Sequence, residues 1–239
     1  MKRTITIVLV ILGIMSFISC NLFGQRIRGN GNVIKETRET QRFEGISASS
    51  GINVYLFQSD ETKVLIEADE NLMECISTKV KNNTLQCSID CSMTGSNTIN
   101  IYVSTPSVNN LSASSSASIF GETLIVTDNL NLKASSSADI KIELQANNVN
   151  CVASSSADIV LIGSCTNFKA KASSSADIKA KNLNTINADL TASSASDIHI
   201  SVSEALKASA SSASDIVFYG SPDYLSIKES SGSKIKQQQ

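Results

Sequence analysis

The sequence predicts an all-β protein, a β-solenoid with coils of about 19 residues, and three observations carry that prediction. First, the phrase Ala-Ser-Ser-Ser-Ala-Asp-Ile stands at 134–140, 153–159 and 172–178, and close copies bring the Asp positions to 139, 158, 177, 197 and 215, in steps of 19, 19, 20 and 18. Second, each copy alternates with a period of two. Leu132, Ala134, Ser136, Ala138, Ile140 and Ile142 share one parity, and Lys133, Ser135, Ser137, Asp139, Lys141 and Glu143 share the other. That is the mark of a half-buried strand, since a helix would scatter these residues around its circumference. Third, a unit this short cannot bury its own apolar row, whereas stacked copies bury their rows against one another. Leucine-rich repeats have a similar period, but their Leu and Asn spacing is absent. A β-sandwich of ordinary hairpins is the alternative, and it does not require an in-phase repeat.

The elements follow in order along 239 residues, 41% of them hydrophobic and enough for a real core. Lys2 and Arg3 precede an apolar run from Ile5 to Ile18, about right for an export signal and too short to span a membrane. The stretch "SFISC" resembles a bacterial lipobox, which implies cleavage before Cys20 and lipidation of its thiol; an ordinary signal peptide with a later cut is the alternative. Asn21 after the Cys, with no acidic cluster soon after, resembles known sorting signals that imply the outer membrane's periplasmic leaflet. The expected division is 1–19 signal peptide, 20–40 linker after the lipid anchor, 41–106 N-terminal β region, 107–235 solenoid repeats and 236–239 tail.

Within 41–106, "KVLIEA" (63–68), "TLQCSID" (84–90) and "TINIYVS" (98–104) alternate like strands, and "DENLMECI" (69–76) suits one or two helical turns. This irregular region is expected to start the solenoid and cap its first coil, whose edge would otherwise be open to other chains. In the repeats, Asn147-Asn148, Gly163-Ser164 and Gly220-Ser221 are candidate turns. Degenerate copies flank the full ones: "LSASSSASIFG" from Leu111, "LSIKESSGSKI" from Leu225 and, far upstream, "ISASSGINVYL" from Ile46.

The segment "SSGINVYL" (49–56), followed by serial "SADI" copies behind a lipoprotein-like signal, resembles the head-GIN domain family of bacterial envelope proteins over about residues 40 to 235. The resemblance rests on Gly51-Ile52-Asn53 together with the repeats. It implies a right-handed parallel β-helix and an auto-transporter adhesin label, and it supplies no catalytic residues. No translocator barrel follows Ile235, so self-export is not expected.

Composition bounds function from the other side. A formal charge of -2 without a basic face gives no footing for nucleic acid, and one His, no Trp and 5% aromatics leave little for acid/base chemistry or ligand stacking. The Asp column Asp139, Asp158, Asp177, Asp197 and Asp215 is expected to stack on an outer face. Calcium bridging is one reading of it. Local backbone bonding, with Lys141, Lys179 and His199 softening the repulsion, is the favoured one, because the Gly-Gly-x-Gly-x-Asp pattern of calcium β-rolls is missing. By parity Ser136, Ser155, Ser174 and Ser194 point inward. Cys87 and Cys91 share parity with Leu85 and Ile89, so both read as core residues, and Cys75, Cys151 and Cys165 are likewise expected as buried thiols. His199 beside Asp197 lacks a nucleophile and an oxyanion arrangement. No cofactor or metal site is expected. The chain reads as a non-enzymatic, lipid-anchored envelope protein presenting a repetitive Ser, Asp and Lys surface to a glycan or an envelope protein. The alternatives are a polysaccharide-active enzyme using Asp177 and Lys179, and a periplasmic assembly or stress factor.

Overall fold

The computed structural model describes residues 26–95 and 98–239; the expected signal peptide and Cys20 lie outside them. Alternating apolar residues produce strands throughout, and among the described residues the only helix is a 3₁₀ segment, Glu70–Cys75, within the stretch expected to turn helically.

The N-terminal strands are β1 (Ile27–Arg28), β2 (Val33–Arg38), β3 (Gly45–Ala48), β4 (Asn53–Gln58), β5 (Lys63–Asp69), β6 (Ile76–Lys81), β7 (Thr84–Ile89), β8 (Met93–Thr94) and β9 (Asn100–Thr105). β3 and β4 turn across Ser50-Gly51 and form one coil. β7 pairs in parallel with β3 and β9 with β4 on one side of it. On the other side, β10 (Asn110–Ala113) pairs with β3 and β11 (Ser118–Gly121) with β4. Order in space therefore departs from order in sequence: 84–105 is the outer coil, 45–58 the second and 110–121 the third. The expected cap is present as antiparallel pairing. β5 runs between β2 and β9, and β6 folds back on β7 through Asn82-Asn83, both left-handed as a tight two-residue hairpin turn requires.

From there the chain winds as a parallel β-helix through β12 (Ile125–Ser135), β13 (Asp139–Ser154), β14 (Asp158–Ser173), β15 (Asp177–Ser193) and β16 (Asp197–Ser211). It closes with β17 (Asp215–Tyr219), β18 (Tyr224–Glu229) and β19 (Lys234–Gln238). The register is the sequence repeat itself. Asp139, Asp158, Asp177, Asp197 and Asp215 are successive partners, as are Ile140, Ile159, Ile178, Ile198 and Ile216. The Ile column and the Ala134, Ala153, Ala172, Ala192 and Ala210 column are buried. Volumes compensate between coils. Phe168 lies between Val149 and Ala188, while beside it Ala170 lies between Cys151 and Leu190. Such exchange keeps a core near crystal density without identical residues.

The Ser-Ser doublets make one corner of each coil, and here the structure corrects the parity reading. Ser136 and Ser137 have φ of 55° and 58°, and the same left-handed pair recurs at Ser155-Ser156, Ser174-Ser175, Ser194-Ala195 and Ser212-Ala213. Two left-handed residues break the extended backbone on which alternation depends, so Ser136, Ser155, Ser174 and Ser194 are exposed instead of inward. The conformation costs about 1–2 kcal/mol per residue without glycine. A ladder of backbone bonds across the corners offsets this: the Ser137 amide donates to Ser155 O, Ser156 to Ser174 O and Ser175 to Ser194 O, each at 3.0 Å. Where the copies read Ala-Ser-Asp in place of Ser-Ala-Asp, the serine moves to the buried slot after the doublet. Ser196 Oγ then donates to Ala172 O at 2.9 Å and accepts the Ser193 amide at 3.1 Å, so no hydroxyl is stranded.

The cysteines need a second correction. Cys75 and Cys91 form a disulfide, with Cα atoms 5.5 Å apart, instead of two separate thiols. Cys91 lies past the end of β7, where the alternation that would have turned it inward stops. Cys87, Cys151 and Cys165 are buried free thiols, as expected; burial alone pushes the Cys87 and Cys165 thiols up to about 12.

Candidate functional site

Three outer features are positioned by the coil register. The Asp column occupies the strand start just after the corner, where the Asp158 amide donates to Ala138 O and the Asp177 amide to Ala157 O. Lys179 sets its charge balance, reaching Asp158 Oδ2 at 3.2 Å and Asp177 Oδ2 at 3.4 Å. Burial works against the Lys179 charge, but the hydrogen bond and charge of Asp158, helped by Asp177, outweigh it and raise its pKa. Asp139 and Asp197 lie beyond this lysine's bonds. Desolvation, then the like charge of Asp158, raises Asp139, while Ser118 and Lys179 work the other way. Desolvation, then Asp177 and Asp215, raises Asp197 against His199. Ser118 and Asn53 continue the column towards the N-terminus, and Lys234 ends it. Among the described residues no cluster of three or more His, Cys, Asp or Glu side chains could hold a metal.

A pH dependence follows from the two raised carboxyls. In the interval above the ordinary Asp value, the native state holds protons that the unfolded chain has released, so stability falls as pH rises through it and stays lowered above it. Asp197→Asn is therefore expected to stabilise the protein at pH 7 by up to about 0.5 kcal/mol, the range for exposed sites, and to flatten that fall. Urea midpoints at pH 4 and pH 7 check it; a variant less stable than the parent at pH 7 contradicts it.

Sequence reasoning missed the second feature, an asparagine ladder. Asn148 Nδ2 donates to Asn129 Oδ1 at 3.0 Å, Asn167 to Asn148 at 2.9 Å and Asn187 to Asn167 at 3.1 Å. Asn147-Asn148 is thus no separate turn but a change of face inside β13. Because these amides bond one another, the ladder stiffens the rod and offers few free groups. At the N-terminal end the motif Gly51-Ile52-Asn53 is structural in the same way. Gly51 takes a left-handed corner, Ile52 is buried and Asn53 Nδ2 donates to Asn100 Oδ1 at 3.3 Å. Two residues on, Tyr55 stacks between Tyr102 and Phe120 at 5.2 and 5.5 Å between ring centres. Tyr102 Oη donates to Glu67 Oε2 at 2.7 Å, which holds the Glu67 carboxyl low and the Tyr102 hydroxyl high.

The third feature is a furrow of about 890 Å³ crossing the coils beside the asparagine ladder. One wall is the column Val126, Gln145, Ser164, Asn184 and Ser201, and the floor is the small inward column Ala146, Cys165, Thr185 and Val202. Its lining carries no charged side chain. His199 and the Asp column do not line it, and neither do the corner serines.

The chain was compared with known proteins. No curated protein matches it. The family described as "Putative auto-transporter adhesin, head GIN domain" matches residues 42–222. Among solved structures, a "putative adhesin" from Bacteroides fragilis superposes with a TM-score of 0.83 at 23% identity, covering 89% of this chain and all of that one. A "putative adhesin" from Parabacteroides merdae gives 0.74 at 16%, covering 90% of this chain and all of the other. A "Putative lipid binding protein" from Parabacteroides distasonis gives 0.73 at 19% with the same coverage. At these identities the likeness establishes the fold alone. The family match spans most of the chain, both the GIN coil and the repeats, and on it the protein belongs to the head GIN domain family.

Proposed function

We propose that the protein is an exported envelope lipoprotein, anchored through Cys20, whose β-helix acts as a rigid, non-enzymatic adhesive rod towards a glycan or a protein. The observation that carries this reading is the in-register stacking of the repeats, which turns a short phrase into long, regular outer columns. The Cys75–Cys91 disulfide supports export, since such bonds persist in oxidising compartments. Family membership supports the adhesive role.

Protease shaving of whole cells, combined with Cys20→Ala, tests it. The parent protein is expected in the membrane fraction and sensitive to external protease, and Cys20→Ala in the soluble fraction. Full protection of the parent in intact cells would favour a periplasmic assembly factor. Turnover of an acidic polysaccharide, abolished by Asp177→Asn and Lys179→Gln, would favour the enzyme.

A further inference from the structure

We propose that the uncharged furrow is the adhesive site and that its occupant is a single strand of a neutral, linear polysaccharide lying along the solenoid axis; this rests on the adhesive reading and names its ligand class. The furrow runs over five successive coils, about 20 Å at the usual inter-strand spacing of roughly 4.8 Å. That length suits an extended polymer better than a single small molecule.

The chemistry of the lining chooses the class. Among the described residues no basic or acidic side chain lines the furrow. Three charges adjoin it without entering the lining: Asp128 accepts bonds from Asn129 and Asn147, Lys181 lies 4.2 Å over the Tyr219 ring, and Glu204, next to Ser203, is exposed. A charged polymer would enter without a counter-charge, while a neutral one loses nothing by its absence. A peptide strand is disfavoured on different grounds. Gln145, Ala146, Ser164, Cys165, Asn184 and Thr185 lie inside strands paired on both sides, and at the outer edge the amide and carbonyl of Val126 are bonded to the Gln58 side chain, so the middle of the furrow and its Val126 end offer no open strand edge for main-chain addition. Recognition must then come from side chains. Gln145, Ser164 and Asn184 stand on three successive coils, and among the described residues their side chains have no hydrogen-bond partner, in contrast to the neighbouring asparagine ladder. Amides and hydroxyls both donate and accept, as sugar hydroxyls do. Val126, 54% exposed, and Ile186, 36% exposed, offer apolar contact to the C–H faces of the rings.

Affinity gel electrophoresis of the full chain in detergent tests this, with mannan, xylan and a soluble β-glucan as neutral probes, polygalacturonate as the acidic probe and reduced casein as the polypeptide probe. At least one neutral polymer is expected to retard the protein. Gln145→Ala with Asn184→Ala should weaken that retardation about tenfold, as losing one or two hydrogen bonds does, and Ser164→Tyr, which fills the furrow from an exposed position, should abolish it. Asp158→Asn with Lys179→Gln should leave it unchanged. Retardation that survives all furrow substitutions overturns the furrow and leaves an adhesin with its site elsewhere. Retardation by polygalacturonate or casein alone overturns the neutral-glycan assignment and keeps the adhesive role. Failure of every probe, together with failure of whole-cell adhesion, overturns both.

Discussion

Gly163→Ala is expected to cost at least about 4 kcal/mol, more than most single substitutions, and to leave little soluble folded protein. Gly163 stands in β14 with φ of +115°, a conformation that a side chain strains, and an added Cβ would lie 2.0 Å from the carbonyl oxygen of Leu144 on the coil before. Leu144 C and N follow at 3.0 and 3.1 Å. All three are backbone atoms of a ladder-paired strand, so relief would require separating two coils. Gly51 is the control. Its φ is +71° with nothing within 4 Å of the added atom, so Gly51→Ala should cost only about 1 kcal/mol. Urea unfolding of both variants followed by circular dichroism checks the pair; a parental midpoint for Gly163→Ala would show that the coils separate easily.

Cys91→Ser is expected to lower stability by about 3 kcal/mol, the chain-entropy value for a loop of this size, and dithiothreitol should reproduce the loss in the parent protein. The bond closes 16 residues, from the end of the 3₁₀ segment across the β6–β7 hairpin. Since coils contact chiefly their neighbours, the damage should stay at that end. Hydrogen exchange is expected to show protection lost across 76–89 and retained across 139–211. Uniform loss over both would mean that the stack unfolds as one unit. Cys151, buried and without a partner, supplies the comparison: reduction has nothing to break there.

The repeat was legible because its physics is local and periodic. Ala134, Ala138 and Ile140 recur at coil spacing on a period-two background, and stacking the coils turns that pattern into one buried column per position. The corner was misread because parity presumes extended backbone through Ser136-Ser137. A corrective signal did exist in the chain: the degenerate copies place Gly51 and Gly232, residues that favour positive φ, in the slot of Ser137. The asparagine ladder was equally available, since Asn129, Asn148, Asn167 and Asn187 each stand ten residues before an Asp of the column. The furrow was not, because it depends on which outward side chains lack partners, and no spacing records that. Nor was the Cys75–Cys91 bond, which depends on how a non-repetitive segment folds back.

The interleaved order of the first coils bears on how the rod is made. Residues 45–58 are flanked by two segments that both come later in the chain, so the GIN coil is paired along both of its edges. One edge is closed by 84–105 and the other by 110–121. The first edge is sealed by the antiparallel cap. The second propagates, each completed coil supplying the hydrogen-bonding edge for the next. In a chain of this design the length of the rod is set by the number of repeats that follow the GIN coil.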